Sequence, residues 1–285
     1  MRYRFMRFPE GRSKAVTFSY DDGSMADIRL SEIFTRYGMK CTFNLNRTGR
    51  NEGWTMTPQQ IRENIIDRGH EVALHGFNHI ALGTASATEG IREVLDCRLD
   101  LERQYGMIIR GYAYADSGIN NFTGGEDYAA VRSYLSQLGV VYARALGEKE
   151  TDFKLPRDFY RWYPSAHHDD PELMGLIDKF LGLDLSTNTY CASRAPRLLY
   201  IWGHSFEFNK KGNWERIEEI CQKLSGKDEI WYATNMEIYE YISAYHSLIL
   251  SADGSLIYNP TLIDLWVDID GKLYMIPSGR TVEIN

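Results

Sequence analysis

Two groups of residues have types and spacing suited to chemistry on a substrate. The first is the adjacent pair Asp21-Asp22, which follows an apolar run at residues 14–20 and precedes Gly23. The second is the pair His75 and His79, four residues apart. Adjacent carboxylates repel each other unless a cation neutralises one of them. Two imidazoles at this spacing can converge on one metal ion.

Each group alone also fits a plain structural role, because Asp and Gly are common in turns and histidine pairs are common on surfaces. Their positions favour chemistry, since each follows a predicted strand, at residues 14–20 and 70–74. The carboxyl ends of parallel strands meet on one face of a sheet. One carboxylate and two imidazoles there form a three-ligand site with a position left for water, as catalytic zinc requires.

Strand and helix signals alternate along most of the chain. Strands are predicted at residues 14–20, 40–45, 70–74, 107–113, 140–146, 197–203 and 229–233. Helices are predicted at residues 26–37, 58–68, 88–105, 126–138, 171–181, 214–224 and 235–246. This alternation predicts βα units around a mainly parallel sheet, either open or closed into a barrel. Residues 148–168 form a long polar and aromatic stretch, which is typical of a functional or poorly ordered loop.

The end of the chain has a different pattern. Short strand-like runs follow residue 247, with Asp253-Gly254 and Asp270-Gly271 between them. These dipeptides are strong hairpin signals. We therefore expect a main domain at residues 1–246 and a small antiparallel appendage at residues 247–285, packed on the first domain.

Composition narrows the classes of function. The net charge of −7 over 285 residues argues against a nucleic-acid-binding surface, which needs clustered positive charge. No apolar run is long enough for a membrane helix, so no membrane partner is expected. The first residues lack the apolar stretch of a secretory signal, which suggests a cytoplasmic protein. The sequence leaves the oligomeric state open. Four separated cysteines are expected to be reduced and mostly buried, namely Cys41, Cys97, Cys191 and Cys221.

Further titratable residues fall at the same predicted face. His204 follows the strand at residues 197–203, and Arg144 lies near the end of the strand at 140–146. Arg110 lies within the strand predicted at 107–113, just before Gly111. An arginine beside a carboxylate lowers its pKa and fixes its orientation, although a solvated role is the more common one for a single arginine.

The motifs Ser19-Tyr20-Asp21-Asp22-Gly23 and His75-x-x-x-His79, with a late strand ending at His204, resemble the polysaccharide deacetylase family, the NodB-homology carbohydrate esterases. The resemblance covers roughly residues 14–241. It implies a distorted (β/α) barrel of about seven strands. It also implies a metal-dependent hydrolase that removes N-acetyl or O-acetyl groups from a carbohydrate.

The resemblance also implies roles for individual residues. Asp22, His75 and His79 would bind one divalent cation, with Zn²⁺ first and Co²⁺, Ni²⁺ or Mn²⁺ as alternatives. Asp21 would act as the base that deprotonates the attacking water, and His204 as the acid that protonates the leaving group.

The chain departs from the family pattern in its third motif, where arginine is usually followed by proline and an aromatic residue. Either Arg110 is the motif arginine without its prolines, or Arg144 replaces it by orienting Asp21, and we favour Arg144. Trp202 stands where the family usually has leucine, two residues before the histidine. Other candidates for contact with substrate or transition state are Tyr112, Tyr114, Trp162 as an aromatic wall, and His167, which could equally be exposed.

The expected substrate is an acylated carbohydrate of small size. A hydrolase of a linear or cyclic amide on the same scaffold is the nearest alternative. A carbohydrate-binding protein without catalysis is a second alternative, but binding alone does not need the spare carboxylate of Asp21. An aspartyl phosphatase typically has two Asp separated by one residue, and here Asp21 and Asp22 are adjacent.

Overall fold

A parallel β-sheet that curls into a partial barrel forms the centre of the protein. The structure is a computed structural model that describes residues 3–116, 119, 127–185 and 194–284. Its strands are β1 (Arg4–Arg7), β2 (Lys14–Asp21), β3 (Thr42–Leu45), β4 (Glu71–Leu74), β5 (Gly111–Ala113), β6 (Tyr142–Arg144), β7 (Ala166–His167), β8 (Arg197–Gly203), β9 (Ile230–Tyr232), β10 (Ile249–Leu250), β11 (Leu256–Tyr258), β12 (Leu265–Ile269), β13 (Lys272–Ile276) and β14 (Thr281–Glu283). Its helices are α1 (Ala26–Arg36), α2 (Pro58–Ile61), α3 (Ala87–Tyr105), α4 (Tyr128–Gln137), α5 (Leu173–Leu181), α6 (Phe206–Lys211), α7 (Glu215–Leu224) and α8 (Asn235–His246).

The sheet has the strand order β6-β5-β4-β3-β2-β8-β7, and β9 pairs with the first residues of β2. Every pair in it is parallel. Strand β2 is buried along its whole length, as expected for a central strand with neighbours on both sides. The predicted distorted (β/α) barrel is therefore confirmed, with seven strands in sequence around the sheet and β9 beside them.

One segment contacts both edges of the curled sheet. Trp162 forms a parallel bridge with Arg144 of β6, and its N–H donates to the carbonyl of Ala143 at 3.1 Å. A few residues later β7 pairs with β8, and the N–H of Ser165 donates to the carbonyl of Tyr200 at 2.7 Å. The stretch 162–167 thus bridges β6 and β8, and we call this junction the seam of the barrel. The sequence predicts only a long loop there.

Local signals explain where the helices begin. Capping boxes open α2, α3 and α8, at Thr57, Ser86 and Thr234 respectively. Helix α2 continues into a π-helical turn at Arg62–Ile66. Gly106 ends α3 in a left-handed conformation with φ 66°, which glycine adopts without strain.

Some predicted elements are shorter than expected. The strand predicted at residues 107–113 is regular only over β5, because Ile109 donates its N–H to the carboxylate of Glu102 instead of to a neighbouring strand. The strand predicted at 140–146 is regular only over β6. Helix α6, which begins directly after Ser205, is not predicted, and neither are β1, β7 and β14. The predicted start of α4 at Glu126 lies outside the described residues.

Two antiparallel sheets complete the fold, with orders β1-β12-β13 and β10-β11-β14. Strand β1, from the N-terminal end of the described chain, pairs with β12 from the C-terminal segment. A buried ion pair supports this junction, since Arg7 Nη2 lies 2.8 Å from Asp268 Oδ2 and Arg194 also contacts that carboxylate. The β12–β13 hairpin therefore shares a sheet with the segment that leads into β2.

The cysteines that the structure describes, Cys41, Cys97 and Cys221, are free and buried, and Cys191 lies outside the described residues. In the part of the chain that the structure describes, none of the helices combines the length and the apolar character needed to span a membrane.

We expect Gly111→Ala to destabilise the fold by about 1–3 kcal/mol, because overpacking of a close-packed interior costs this much. A Cβ at Gly111 would lie 2.2 Å from the hydroxyl oxygen of Tyr142, which donates to Glu71 at 2.6 Å. Gly175→Ala is the matched control, because Gly175 is exposed in α5 and its Cβ would meet nothing within 4 Å. Helix propensity predicts that this control is stabilised by about 0.5–1 kcal/mol. Urea unfolding of both variants measures the difference, and equal stability would contradict the packing argument.

Candidate active site

Three side chains of metal-binding types converge at the carboxyl ends of β2 and β4. Asp22 follows β2 directly, His75 follows β4, and His79 lies in the loop beyond. His79 Nε2 lies 3.4 Å from Asp22 Oδ1, and His75 Nε2 lies 3.8 Å from the same oxygen. All three potential ligand atoms lie within 4.8 Å of one another. This spacing fits a single cation bound by the three residues.

The protonation of His75 also fits a metal ligand. Its Nδ1 lies 2.9 Å from the carbonyl oxygen of Ala113 at the end of β5, so Nδ1 carries the proton and donates it. The lone pair of Nε2 then faces Asp22. Burial lowers the pKa of His75, which favours the neutral imidazole that binds metal. His79 has a carboxylate behind it in the same way, with Asp116 Oδ2 at 3.8 Å from its Nδ1.

The backbone at these ligands is strained. Asp22 and His79 have φ values of 78° and 64°, and Asp116 has 49°, all in the left-handed region that non-glycine residues rarely adopt. Such conformations cost roughly 1–3 kcal/mol each and persist only where the surrounding structure enforces them. These three residues lie just beyond the carboxyl ends of β2, β4 and β5, and strained backbone at such a place is typical of a functional site.

Glu93 of α3 holds the loop that carries His79. Its carboxylate accepts hydrogen bonds from the N–H groups of Asn78 at 2.7 Å and Ile80 at 3.0 Å. Gly76 allows this approach, because a Cβ there would lie 2.7 Å from Glu93 Oε1. The sequence motifs do not identify Glu93, because its position in α3 gives no sign that it turns inward.

Asp21 has a different environment from its neighbour Asp22. Its side chain is 2 % exposed, and Arg144 Nη2 lies 2.7 Å from Oδ2 while Asn44 donates to Oδ1 at 2.7 Å. Burial alone would raise its pKa, but the charge of Arg144, helped by the hydrogen bond from Asn44, outweighs burial and lowers the pKa to about 2. Asp21 is therefore ionised in the folded protein.

The structure separates the two arginines named from the sequence. Arg144 is fully buried, and its guanidinium also lies over the ring of Trp202, 4.7 Å from the centroid. Arg110 precedes β5 and so lies at the opposite, amino-terminal end of the sheet. Among the described residues, Arg144 is the arginine that contacts Asp21.

His204 faces Asp21 from the end of β8, with its Nε2 3.8 Å from Asp21 Oδ2. Its Nδ1 lies 3.5 Å from Oε1 of Glu207, the residue one helical turn onward in α6. Burial alone would lower the pKa of His204, but Glu207 and Asp21 outweigh burial and raise it. Sequence reasoning missed Glu207, although its spacing of three residues from His204 is a usable signal once a helix is expected there.

The other sequence-predicted contacts divide into two groups. Trp202 and His167 are partly exposed near His204, with ring centroids 5.6 Å and 6.3 Å from it respectively. Tyr112 and Tyr114 are buried in the core and do not face a substrate cleft.

Trp162 does not form an aromatic wall at this site, which corrects the sequence-based expectation. Its side chain is 2 % exposed and packs against Tyr142, Phe159 and Tyr200. It borders a separate cleft of about 450 Å³ that is lined by residues between 148 and 163. A narrow cleft of about 20 Å³ lies against Asp22. Trp162 is buried because the stretch around it completes the barrel instead of forming an open loop.

We expect Arg144→Met to destabilise the protein by about 3–5 kcal/mol, because it leaves the buried carboxylate of Asp21 without its partner cation. The difference in the free energy of unfolding between the wild type and this variant should become smaller as pH falls. In the variant, burial without Arg144 raises the pKa of Asp21, so protonation removes the unpaired charge.

Arg110→Met is the matched control, and we expect a change within about 0.5 kcal/mol. Denaturant unfolding at neutral and acidic pH measures both variants. A similar loss in the two, or a loss in Arg144→Met that does not depend on pH, would contradict the assigned pair.

Comparison with known proteins shows a match to one family model. Residues 9–142 match the family model of polysaccharide deacetylase, a range that includes Asp21, Asp22, His75 and His79 but ends before Arg144. No curated protein matches the chain significantly.

Solved structures share the fold at low sequence identity. A protein assigned as a polysaccharide deacetylase from Mycobacterium smegmatis is 18% identical, with 84% of this chain and 93% of that chain covered and a TM-score of 0.57. The chitin deacetylase from Colletotrichum lindemuthianum is 17% identical, with 82% and 89% covered and a TM-score of 0.51. A variant of the peptidoglycan deacetylase PdaC from Bacillus subtilis is 17% identical, with 84% and 96% covered and a TM-score of 0.51.

The resemblance drawn from the motifs is thereby confirmed over residues 9–142, which match the polysaccharide deacetylase family model, and the chain shares the fold of these structures.

Proposed function

We propose that the protein is a metal-dependent hydrolase that removes acetyl groups, N-acetyl groups first, from an amino sugar or short oligosaccharide. One observation carries this proposal. The adjacent carboxylates of Asp21 and Asp22 have separate partners, since Asp22 lies beside two imidazoles and Asp21 is held by Arg144 and faces His204. Hydrolysis of an acyl group by metal-bound water needs one carboxylate that binds the metal and a second carboxylate that can accept a proton.

Asp22, His75 and His79 would hold the cation. When bound, a divalent cation acidifies water and polarises an acyl oxygen. Asp21 accepts a proton from the attacking water, and its Oδ2 is fixed for this by Arg144 at 2.7 Å. Arg144 lowers the pKa of Asp21 against the effect of burial, so the carboxylate is ionised and able to accept a proton.

His204 would supply the proton that the leaving nitrogen requires. Its raised pKa favours the protonated imidazole near neutral pH. Its Nε2 lies 3.8 Å from Asp21, and the carboxylate of Glu207, 3.5 Å behind Nδ1, stabilises the positive charge. The proposed base and acid therefore lie side by side at the same end of the sheet.

Aromatic surface beside the site supports a carbohydrate substrate. Trp54 is 41 % exposed, and its ring centroid lies 5.4 Å from that of Phe206. Phe206 in turn lies 5.2 Å from His204 by ring centroids. Rigid aromatic faces of this kind stack on the apolar faces of sugar rings. Two structural neighbours are named as chitin and peptidoglycan deacetylases, so N-acetylglucosamine oligomers are the first substrates to test.

The test combines metal content with release of acetate from N-acetylglucosamine oligomers. We expect the purified protein to bind Zn²⁺ and release acetate, and chelation to abolish the release. His75→Ala should lose both the metal of this site and activity. Asp21→Asn should keep the metal and lose about 10²–10⁴-fold in rate, the usual contribution of a general base.

Acetylated xylan and a cyclic amide are the comparison substrates for the two alternatives, esterase and amide hydrolase. Faster turnover of either would replace the N-acetyl sugar as the substrate class. Wild-type rates in Asp21→Asn would contradict its role as base. Full metal occupancy in His75→Ala would contradict the ligand set.

A second prediction concerns the pH profile. We expect Glu207→Gln to move the alkaline limb of kcat/KM to lower pH, because the variant lacks the negative charge that raises the pKa of His204. Activity needs the protonated imidazole, so the limb follows this pKa. Glu240→Gln is the control, because Glu240 is exposed on α8. An unshifted alkaline limb in Glu207→Gln would show that His204 is not the acid.

A further inference from the structure

A second cluster of potential ligands lies beside the candidate active site. It consists of His168 and Asp169, directly after β7, and Glu207 of α6. His168 Nε2 lies 3.1 Å from Asp169 Oδ2 and 3.2 Å from Glu207 Oε2. Together with His167, the potential ligand atoms of this group lie within 4.8 Å of one another. None of these three residues belongs to the set Asp22, His75 and His79.

His168 is fully buried, yet its ring nitrogens lack hydrogen-bond partners among the described residues. Glu207 Oε2 also lacks one. The two short contacts of Nε2 therefore bring polar atoms together without the alignment of hydrogen bonds. Buried polar side chains nearly always have a partner, and an unsatisfied one costs about 1–3 kcal/mol. A bound group between His168 Nε2, Asp169 Oδ2 and Glu207 Oε2 would give the unpaired nitrogen and the unpaired oxygen a partner.

The ring of His168 is held in place. It stacks on Tyr20 with ring centroids 5.6 Å apart and on Phe208 with centroids 4.2 Å apart. Gly203 leaves the room for it, since a Cβ there would lie 1.9 Å from His168 Nδ1. The imidazole is thus clamped with Nε2 toward the two carboxylates.

Charge and spacing suit a cation at this position, because the carboxylates of Asp169 and Glu207 both face His168 Nε2. Ligand atoms in tetrahedral geometry, with bonds of about 2.0–2.2 Å, are roughly 3.3–3.6 Å apart. The observed 3.1 and 3.2 Å are close to this spacing.

His167 is excluded as a ligand by its protonation. The N–H of Asp169 donates to His167 Nδ1 at 3.2 Å, so Nδ1 holds the lone pair and Nε2 carries the proton. That Nε2 lies 3.1 Å from Glu207 Oε2 without the alignment of a hydrogen bond. His167 therefore presents an N–H, not a lone pair, toward the cluster.

We propose that His168, Asp169 and Glu207 bind a second divalent transition-metal cation, separate from the one expected at Asp22, His75 and His79. Imidazole with two carboxylates suits Zn²⁺, Mn²⁺ or Fe²⁺. Lys211 competes with the cation, because its ammonium contacts the carboxylate of Asp169. Its side chain is half exposed, so it can leave when the ion binds.

The test is Zn²⁺ content per chain after loading and gel filtration, with affinities from calorimetry. We expect two ions in the wild type and one in the double variant His75→Ala, His79→Ala. Asp169→Asn should also retain one and bind the second ion at least about tenfold more weakly. Asp169 is preferred to Glu207 for this test because Glu207 also contacts His204.

Two controls sharpen the result. Asp170→Asn changes the next carboxylate, which pairs with Lys149, and should keep two ions. Lys211→Met removes the competing ammonium and should tighten the second ion severalfold. One ion in the wild type with none in His75→Ala, His79→Ala would overturn the second site while leaving the first intact. Two ions in Asp169→Asn at wild-type affinity would also overturn it.

Discussion

The ion pair between Asp21 and Arg144 connects the central strand of the sheet to its edge through the interior of the barrel. Both side chains are almost completely buried, with Nη2 and Oδ2 2.7 Å apart. Removing two charges from water is costly, and a buried pair survives only with good geometry and further hydrogen bonds. Asn44 supplies one of these bonds to Asp21, and Trp202 covers the face of the guanidinium. The charge on Asp21 in turn raises the pKa of His204, so the proposed acid depends on the same pair.

The segment that closes the barrel between β6 and β8 also leads into two residues of the second cluster, His168 and Asp169. Residues 162–167 contact β6 at one end and β8 at the other, which fixes the chain as it reaches His168 and Asp169. Helix α6 then brings Glu207 between His204 and this cluster. Completion of the barrel and placement of these polar side chains are therefore consequences of one path of the chain.

Sequence patterns are most informative where candidate catalytic or metal-binding residues directly follow a strand with a clear apolar run. Strands β2, β4 and β8 have clear apolar runs, so the residues at their carboxyl ends, Asp22, His75 and His204, can be assigned to one face from these runs alone. The family motifs then assign expected roles to these residues. The barrel itself is predictable for the same reason, because βα alternation is a local signal.

The rest depends on tertiary contacts that no local pattern records. Strand β7 is only two residues long and forms because β8 is beside it. Trp162 resembles an exposed aromatic residue of a loop, but the closing segment buries it. Glu93 and Glu207 resemble ordinary helical surface residues in the sequence, and only the packing of their helices turns them toward the loops of the site.

The two histidines of the candidate metal centre are supported by unequal parts of the fold. His75 extends a strand of the central sheet and is fixed through the carbonyl of Ala113. His79 depends on a strained loop that is tied to α3 by Glu93. Parts with few anchors open more often than core strands do. Of the three residues that would hold a cation, His79 is therefore the one expected to move away first when the structure opens locally, while Asp22 and His75 stay in place.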